Sequence, residues 1–272
     1  MAKPFLKWAG GKRQLLPVLK DKIKSISYSR YIEPFIGGGA LFFDLEPQNA
    51  IINDINEELI NTYKVVRDKP LELIQHLKTH INTKEYYLAI RALDREPSTF
   101  KKLTDIEKAS RFIFLNRTCF NGLYRVNSKG HFNSSYGNYK NPDFVQEKAI
   151  QEASKILKNT LILNKSVFEL ENIFKEGDFV YFDPPYIPLR KGSFKSYNKE
   201  GFSLKDHEKL AQLCITLNKK GVKFLLSNSY TEETLKIYNN DNFIIQEVLA
   251  KRNISGRAEA RGIVKEVLIS NF

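Results

Sequence analysis

The stretch that decides the fold is Tyr31-Ile32-Glu33-Pro34-Phe35-Ile36-Gly37-Gly38-Gly39-Ala40-Leu41-Phe42-Phe43-Asp44-Leu45. It starts as a strand-like apolar run, turns on three consecutive glycines and continues as a helix-forming segment. A strand that leads through such a turn into a helix is typical of the first unit of a parallel α/β sheet. Ligands of these sheets bind beyond the carboxyl ends of the strands, so the glycine turn marks an expected site.

The rest of the chain repeats this alternation of strands and helices. Further strands are predicted at 50–52, 160–163, 178–182, 222–226, 243–249 and 263–269, and helices at 57–67 and 204–220. This order predicts an α/β fold with a mainly parallel sheet. The last two strand-like runs are joined by a loop too short for a crossover helix, so we expect an antiparallel hairpin there.

The middle of the chain has a different texture. Helical periodicity marks 71–80, 84–93 and 105–115, and a polar stretch rich in Asn, Gly, Ser and Tyr follows. We therefore predict two parts: a discontinuous catalytic domain, 1–62 and 157–272, and an inserted, mainly helical domain, 63–156. The polar stretch is expected to form an ordered loop or hairpin near 116–141.

Composition narrows the classes of partner. The 272 residues include 43 Lys and Arg against 31 Asp and Glu, a formal net charge of +12. Such a balance favours polyanions, although a merely soluble basic protein would show it too. Cys119 and Cys214 stand in apolar contexts and are predicted to be buried free thiols.

Metal binding and membrane insertion are not expected. His76 and His80 are four residues apart, but the Glu of a zinc-hydrolase helix is missing, so we interpret them as exposed helix surface. No apolar run reaches the roughly 20 residues of a membrane span, and the first residues lack a signal-peptide layout. We expect a protein of the reducing cytoplasm.

Two segments are candidates for cofactor binding. Asp54 ends the second predicted strand, 54 − 37 = 17 positions after Gly37, where a carboxylate commonly accepts hydrogen bonds from ribose hydroxyls. This pattern fits NAD, FAD or S-adenosylmethionine, and the alternative is a tight structural turn. The second segment, 8–12, fits a phosphate loop poorly. Its Trp8 and Lys12 offer a flat apolar face and a cation for a carboxylate ligand, although Trp8 could equally anchor the core.

Asp183-Pro184-Pro185-Tyr186 is the candidate reaction centre, because it follows a buried strand at its carboxyl end. The Asp183 carboxylate and the Pro184 carbonyl can each accept one N–H of an exocyclic amino group, leaving its lone pair free to attack a methyl sulfonium. Tyr186 offers a face on which an extruded base can stack. An ordinary turn after a strand is the alternative for the motif alone.

With these motifs the sequence resembles the Dam-like DNA adenine-N6 methyltransferases of the alpha group, especially those that modify GATC in type II restriction–modification systems. The resemblance rests on 5–12, 33–39, 53–56 and 183–186, in that order. It implies a Rossmann-like S-adenosylmethionine-dependent methyltransferase sheet with an inserted, mainly helical target-recognition domain. It also implies cofactor contacts at Trp8, Lys12, Phe35, Gly37, Asp54, Val167, Phe168 and Asp183.

The inserted domain also resembles the family's DNA-reading hairpin. The DNA-contacting residues that it suggests are Asn121, Leu123, Arg125, Tyr139, Lys140 and, in the loop between the last two strands, Arg252. Arg125 can make a bidentate contact to guanine, and Leu123 or Tyr139 can stack or wedge where the adenine leaves the helix. An exposed polar loop is the alternative for both segments. Ser134-Ser135 stands where relatives often carry Val-Pro.

The resemblance implies methyl transfer to N6 of adenine in double-stranded DNA, with base flipping and no metal. We expect a monomer in a prokaryote or phage, and a possible cognate restriction endonuclease that acts on the same site without direct contact. Methylation of cytosine N4 or of RNA adenine, and a non-catalytic DNA-binding role, stay open as alternatives. The leading Asp183 favours adenine, since cytosine-N4 enzymes more often carry Ser there.

Overall fold

The structure, a computed structural model, describes residues 2–8, 10, 12, 14–189, 202–251 and 263–272. Within these residues seven strands form one sheet. They are β1 (Arg30–Glu33), β2 (Ala50–Asn53), β3 (Thr160–Leu163), β4 (Asp178–Phe182), β5 (Lys223–Ser229), β6 (Ile244–Lys251) and β7 (Ile263–Ser270).

Ten α-helices accompany the sheet in the same described ranges. They are α1 (Leu16–Lys24), α2 (Ala40–Leu45), α3 (Glu57–Asp68), α4 (Pro70–Leu77), α5 (Lys84–Ala92), α6 (Pro97–Lys102), α7 (Asp105–Thr118), α8 (Glu147–Leu157), α9 (Leu204–Lys219) and α10 (Glu232–Ile237). Short 3-10 turns lie at Leu93–Arg95, Phe120–Gly122 and Val167–Leu170.

The strand order across the sheet is β3-β2-β1-β4-β5-β7-β6. The first five of these strands run parallel, and β7 is antiparallel to both β5 and β6. The predicted α/β fold, the mainly parallel sheet and the C-terminal hairpin are therefore confirmed. The chain order reverses between β1 and β4, and in open α/β sheets the ligand crevice lies at such a reversal.

Both faces of the sheet are covered, which explains the apolar composition of the central strands. Every residue of β4 is buried. Phe179 and Tyr181 belong to one core cluster, whereas Val180 and Phe182 belong to the other, because alternate side chains point to opposite faces. Asp183 follows directly, so the sheet delivers this carboxylate to the carboxyl edge.

Helices α4, α7 and α8 pack on α3 and join the first core cluster. The predicted domain boundary at 62/63 falls inside α3, which continues across it because Leu59, Tyr63 and Val66 are all buried in the same cluster. After α7 the chain forms an irregular hairpin with antiparallel bridges between Cys119 and Tyr136 and between Val126 and Phe132. We call residues 119–139 the recognition hairpin, after the role that the resemblance implies for this segment.

One prediction in this region is wrong. The helix expected at 71–80 ends at Leu77, and His80 is buried rather than exposed. Its ring nitrogens hydrogen-bond the Tyr86 hydroxyl and the Ser110 hydroxyl at 2.9 and 2.8 Å, and burial lowers its pKa to about 4. His80 is therefore a neutral packing residue. The thiols of Cys119 and Cys214 are free and buried, as predicted.

Candidate active site

The candidate site lies along the carboxyl edge of β2, β1, β4 and β5, where the loops after these strands meet. Asp54 leaves β2, Gly37 follows β1, and Asp183 follows β4. This convergence is a consequence of parallel pairing, since β1 lies between β2 and β4 in register. Side chains that are far apart in sequence are thereby brought to one crevice.

Asp54 is tied to the glycine turn by two backbone hydrogen bonds. Its Oδ2 accepts the Gly37 N–H at 3.1 Å, and its Oδ1 accepts the Asn56 N–H at 3.0 Å. Burial raises the pKa of Asp54 to about 6, although these N–H donors lower it. The turn and the carboxylate therefore form one preorganised unit.

The glycine turn is packed so closely that side chains do not fit. Gly37 has φ +46°, and a Cβ there would lie 2.7 Å from Trp8 Nε1. A Cβ at Gly38 would lie 2.8 Å from Trp8 Cβ. Because Gly37 and Gly38 have no side chains, the Trp8 indole can lie against the turn, and this explains why both positions are glycine. The segment around Trp8 and Lys12 is thus placed at the same edge as Asp54.

Next to the glycine turn, three phenylalanine rings pack together as an aromatic wall, formed by Phe35, Phe168 and Phe202. Phe35 meets Phe202 edge to face at 5.7 Å, and Phe168 stacks on Phe202 at 6.3 Å with the rings 14° apart. Val167 is buried beside Phe168 in a 3-10 turn that Ser166 caps. The sequence reasoning missed Phe202, because only the folded chain brings it between Phe35 and Phe168.

The Asp183 carboxylate meets Lys12, a partner 183 − 12 = 171 residues away. Lys12 Nζ lies 2.9 Å from Asp183 Oδ1 and donates to the Gly10 carbonyl at 2.7 Å. The same ammonium lies 4.5 Å from the centroid of the Tyr186 ring. Lys12 is only 7% exposed, so the ion pair is screened little by water. An amino nitrogen is therefore held at once by the carboxylate and the aromatic face.

Polar side chains at the end of β5 hydrogen-bond Asp183 and Ile187. Ser227 Oγ donates to Asp183 Oδ1 at 3.0 Å and contacts the Tyr181 hydroxyl at 3.0 Å. Asn228 Oδ1 accepts the Ile187 N–H at 3.1 Å. These buried polar residues were not identified from the sequence, although a Ser-Asn-Ser run directly after an apolar strand was the available signal.

Glu266 is a further residue that the sequence did not reveal. Tyr186 donates its hydroxyl hydrogen to Glu266 Oε2 at 2.9 Å, across 80 residues of sequence. Glu266 lies on β7 and is 9% exposed. Burial, reinforced by the negative charges of Asp183 and Glu266, raises the pKa of Tyr186 well above its ordinary value. The phenol therefore stays protonated, and its ring is fixed in orientation.

The recognition hairpin places Arg125 at its surface. Arg125 is exposed, and its Nε and Nη2 donate to the side chain and backbone oxygens of Asn133 at 2.6 and 3.2 Å. These two hydrogen bonds hold the guanidinium against Asn133 on the opposite strand of the hairpin. Lys140 is exposed and Leu123 half-buried, while Arg252 lies outside the described residues.

Tyr139 and Asn121 are part of the hairpin's own packing. The Asn121 N–H donates to the Tyr139 hydroxyl at 3.0 Å, and Asn121 adopts φ +56°. Lys7 Nζ lies 4.6 Å from the centroid of the Tyr139 ring. Asn116 fastens the hairpin to the first segment, because its side chain accepts the Lys7 N–H at 2.8 Å and donates to the Lys7 carbonyl at 2.7 Å.

The described residues contain no group of three or more His, Cys, Asp or Glu side chains that could hold a metal ion. No helix in the same part of the chain is long and apolar enough to cross a membrane. What the crevice does offer is a carboxylate beside a glycine turn, a cation, and aromatic faces. These groups suit an organic ligand with hydroxyl, carboxylate and planar parts.

The chain is similar in sequence to known proteins of one family. A family model described as D12 class N6 adenine-specific DNA methyltransferase matches residues 8–254. The type II methyltransferase M1.LlaDCHI of Lactococcus lactis subsp. cremoris is 45% identical, covering 99% of this chain and 95% of that protein. The type II methyltransferase M.MjaIII of Methanocaldococcus jannaschii is 42% identical, over 99% of each chain. A DNA adenine methylase of Vibrio cholerae is 34% identical, over 97% of this chain and 94% of its own length.

Proposed function

The chain belongs to the D12 class N6 adenine-specific DNA methyltransferase family and is an adenine-specific DNA methyltransferase, and from this premise we propose that it methylates the adenine of GATC in duplex DNA after flipping that base. The family is specific for adenine N6 in DNA, so cytosine N4 and RNA are set aside as substrates. S-adenosylmethionine is the methyl donor that the family implies.

The observation that carries the proposal is the position of the Lys12 ammonium. It is bonded to Asp183 Oδ1 and lies over the Tyr186 ring, so an N–H donor above an aromatic face already occupies this spot. A flipped adenine would present its amino group to Asp183 and its ring to Tyr186 in the same way. For the base to enter, Lys12 has to turn away, and the carboxylate of the methionine moiety offers it another partner.

The proposed chemistry needs no covalent intermediate. Asp183 accepts one N6 hydrogen and the Pro184 carbonyl accepts the other, which draws the nitrogen lone pair out of conjugation with the ring. The lone pair would form the new N–C bond, the S–C bond of the methyl donor would break with its electrons remaining on sulfur, and one N6 proton would pass to the Asp183 carboxylate. Ser227, by donating to Asp183, fixes the direction of the carboxylate.

The cofactor pocket that we propose uses the carboxyl edge of β1, β2 and β3. Asp54 would accept the ribose hydroxyls, and the Trp8 indole, held against the glycine turn, would give the ligand a flat apolar face. Val167 and the aromatic wall of Phe35 and Phe168 would hold the adenine ring. These residues fit the group in charge, size and flatness.

The pKa of Asp54 makes a pH-dependent prediction. Because burial raises this pKa to about 6, the carboxylate is ionised at pH 7.5 and only about one-tenth ionised at pH 5. Hydroxyl donors bind the ionised form, so the affinity for S-adenosylmethionine should fall about tenfold between these values. Isothermal titration across pH 5–8 measures it. Asp54→Asn should bind S-adenosylmethionine weakly at every pH. If the affinity of this variant still fell with decreasing pH as in the wild-type protein, Asp54 would not be the titrating group.

We propose that 63–156 is the target-recognition domain and that 1–62 with 157–272 is the catalytic domain, α3 being shared between them. The recognition hairpin supplies Asn121, Leu123, Arg125 and Tyr139, and Lys140 with Arg252 supplies phosphate contacts. The exposed guanidinium of Arg125 and the net charge of +12 support this assignment.

Arg125→Ala is expected to relax sequence choice more than it slows transfer. A bidentate contact to guanine contributes about 1–3 kcal/mol of discrimination, so the preference for GATC over a site with the guanine replaced should drop at least about fivefold. The ratio of kcat/KM on the two duplexes measures this. Lys140→Ala is the matched control and should weaken binding to both duplexes alike. An equal loss on both duplexes for Arg125→Ala would make Arg125 a phosphate contact.

We further propose a monomer that acts on DNA in the cytoplasm of a prokaryotic cell and protects it from a cognate endonuclease, with no contact between the two enzymes. Two similar proteins bear the name type II methyltransferase, which supports this role. Plasmid DNA from cells that produce the protein should resist an endonuclease that cuts only unmethylated GATC. Complete digestion of that DNA, with active protein present, would exclude GATC.

A further inference from the structure

We propose that Tyr124 is a positioning residue that couples the cofactor pocket to the recognition hairpin, so that cofactor and DNA bind cooperatively through it. The inference rests on the proposed function, because it takes these two places to be the cofactor site and the DNA-reading site. Tyr124 directly precedes Arg125, yet its side chain turns inward and reaches two separate elements of the cofactor pocket.

The first of these contacts is with Trp8. The rings of Tyr124 and Trp8 stack at 5.6 Å with their planes 17° apart. Phe112 packs against both, at 5.2 Å from Tyr124 and 6.5 Å from Trp8, and Phe132 meets Tyr124 at 5.7 Å. We call these four rings the aromatic cluster. Since Trp8 also lies against Gly37 and Gly38, a single indole separates Tyr124 from the glycine turn.

The second contact is with the segment 53–56, which carries Asp54. Burial raises the pKa of the Tyr124 phenol, and the Asn56 side chain, which lies close to it, lowers that pKa. Asn56 also donates its own N–H to Asp54 Oδ1 at 3.0 Å and caps α3 by accepting the Leu59 N–H at 3.0 Å. Whatever orders Asp54 therefore also orders Asn56, a neighbour of the Tyr124 phenol.

Buried ion pairs of Arg111 link the same two elements a second time. Arg111, which is 2% exposed, pairs with Glu58 at 3.0 Å and with Asp94 at 2.8 Å. Asp94 Oδ2 accepts the Phe132 N–H at 2.7 Å. Through Arg111 and Asp94, the first turn of α3 is thus also connected to the hairpin strand that carries Phe132. Tyr124 lies between these two elements.

Coupling follows from this arrangement. A ligand that binds against Trp8 and Asp54 fixes both neighbours of Tyr124, and with them the backbone that carries Arg125. DNA that engages Arg125 in turn favours the same position of Tyr124, since coupling free energy is reciprocal. Where two sites are coupled, one ligand typically changes the affinity for the other by about 5–150-fold.

The experiment measures binding of a GATC duplex with and without S-adenosylhomocysteine, and of S-adenosylhomocysteine with and without the duplex. We expect about tenfold tighter binding of each in the presence of the other for the wild-type protein. Tyr124→Leu, which removes the stack, should reduce this factor to below about two. Tyr124→Phe, which keeps the stack and removes the hydroxyl, should give an intermediate factor and guards against a folding defect in the leucine variant.

Tyr136→Phe is the matched control. It removes a hydroxyl from the same hairpin, one that donates to Asn82 Oδ1 at 3.0 Å, but Tyr136 lies outside the aromatic cluster. It should change DNA affinity equally with and without the cofactor analogue, leaving the coupling factor intact. A merely structural role for Tyr124 would predict the same result for Tyr124→Leu.

The outcomes separate the inference from the proposed function. A wild-type coupling factor near one, or an unchanged factor in both Tyr124 variants, overturns the inference while methyl transfer to GATC continues. Absence of transfer to the GATC duplex by folded wild-type protein, measured in parallel, overturns the proposed specificity instead. Loss of coupling in Tyr124→Leu with its retention in Tyr136→Phe is the supporting result.

Discussion

Asp183→Ala is expected to lower the rate of methyl transfer by about 10²- to 10³-fold, the range for removing one preorganised electrostatic group from an active site. The carboxylate is the proposed acceptor for the amino group, and no other described oxygen is bonded to both Lys12 and Ser227 as Asp183 Oδ1 is. Single-turnover transfer of a labelled methyl group to a GATC duplex measures the loss. The affinity for DNA should change much less, because phosphate contacts lie elsewhere.

Asp44→Ala provides the control for this variant. Asp44 also pairs with a lysine, since Lys20 Nζ lies 2.8 Å from Asp44 Oδ2, and it is 20% exposed against 22% for Asp183. Both variants should stay folded at the assay temperature, as a cooperative thermal transition above it would show, and Asp44→Ala should transfer at the wild-type rate. Transfer by Asp183→Ala within tenfold of the wild-type rate would remove Asp183 from the reaction.

Arg111→Met is expected to lower the free energy of unfolding by about 3–5 kcal/mol, the cost of breaking a buried ion pair by removing one partner. Arg111 also donates to the carbonyls of Ile90 and Arg91 at 3.0 and 3.1 Å. The carboxylate of Asp94, 6% exposed, would lose its cation without gaining water. For a chain of this length the Tm should fall on the order of 10 °C, measurable by circular dichroism.

Lys78→Met is the comparison for Arg111→Met. Lys78 pairs with Glu147 at 3.0 Å, but both side chains are about half exposed, 45% and 51%, and such a pair contributes about 0–1 kcal/mol. Adding Asp94→Asn to Arg111→Met should restore part of the stability, since it removes the unpaired charge. If Arg111→Met and Lys78→Met had the same Tm, the ion pairs that Arg111 makes with Glu58 and Asp94 would not stabilise the protein.

The sequence predicted the sheet better than it predicted the helices around it. β3 (Thr160–Leu163) and β4 (Asp178–Phe182) have the bounds expected from their apolar runs, and the C-terminal hairpin is antiparallel as expected. Buried strands leave an unbroken apolar signal, because both faces of the sheet are covered. Helix α1 (Leu16–Lys24) was not predicted, although the i, i+4 spacing of its buried residues, Leu19 and Ile23, is a helical signal.

The site divides along the same line. Residues next to a strand end, such as Gly37, Asp54 and Asp183, were predicted because local spacing marks the carboxyl edge of a parallel sheet. Their partners were not. Glu266 and Phe202 reach the site from distant segments, and no local pattern identifies which buried carboxylate will meet a tyrosine 80 residues away.

The central claim is methyl transfer to adenine N6 at the edge formed by Asp183 and Tyr186. The most direct measurement incubates the protein with tritiated S-adenosylmethionine and matched duplexes with and without GATC, then digests the DNA to nucleosides. We expect label in N6-methyl-2′-deoxyadenosine from the GATC duplex, and at least about 10²-fold less label when Asp183→Ala replaces the wild-type protein. Label in N4-methylcytosine, equal label from both duplexes, or none from either duplex with folded protein would contradict the account.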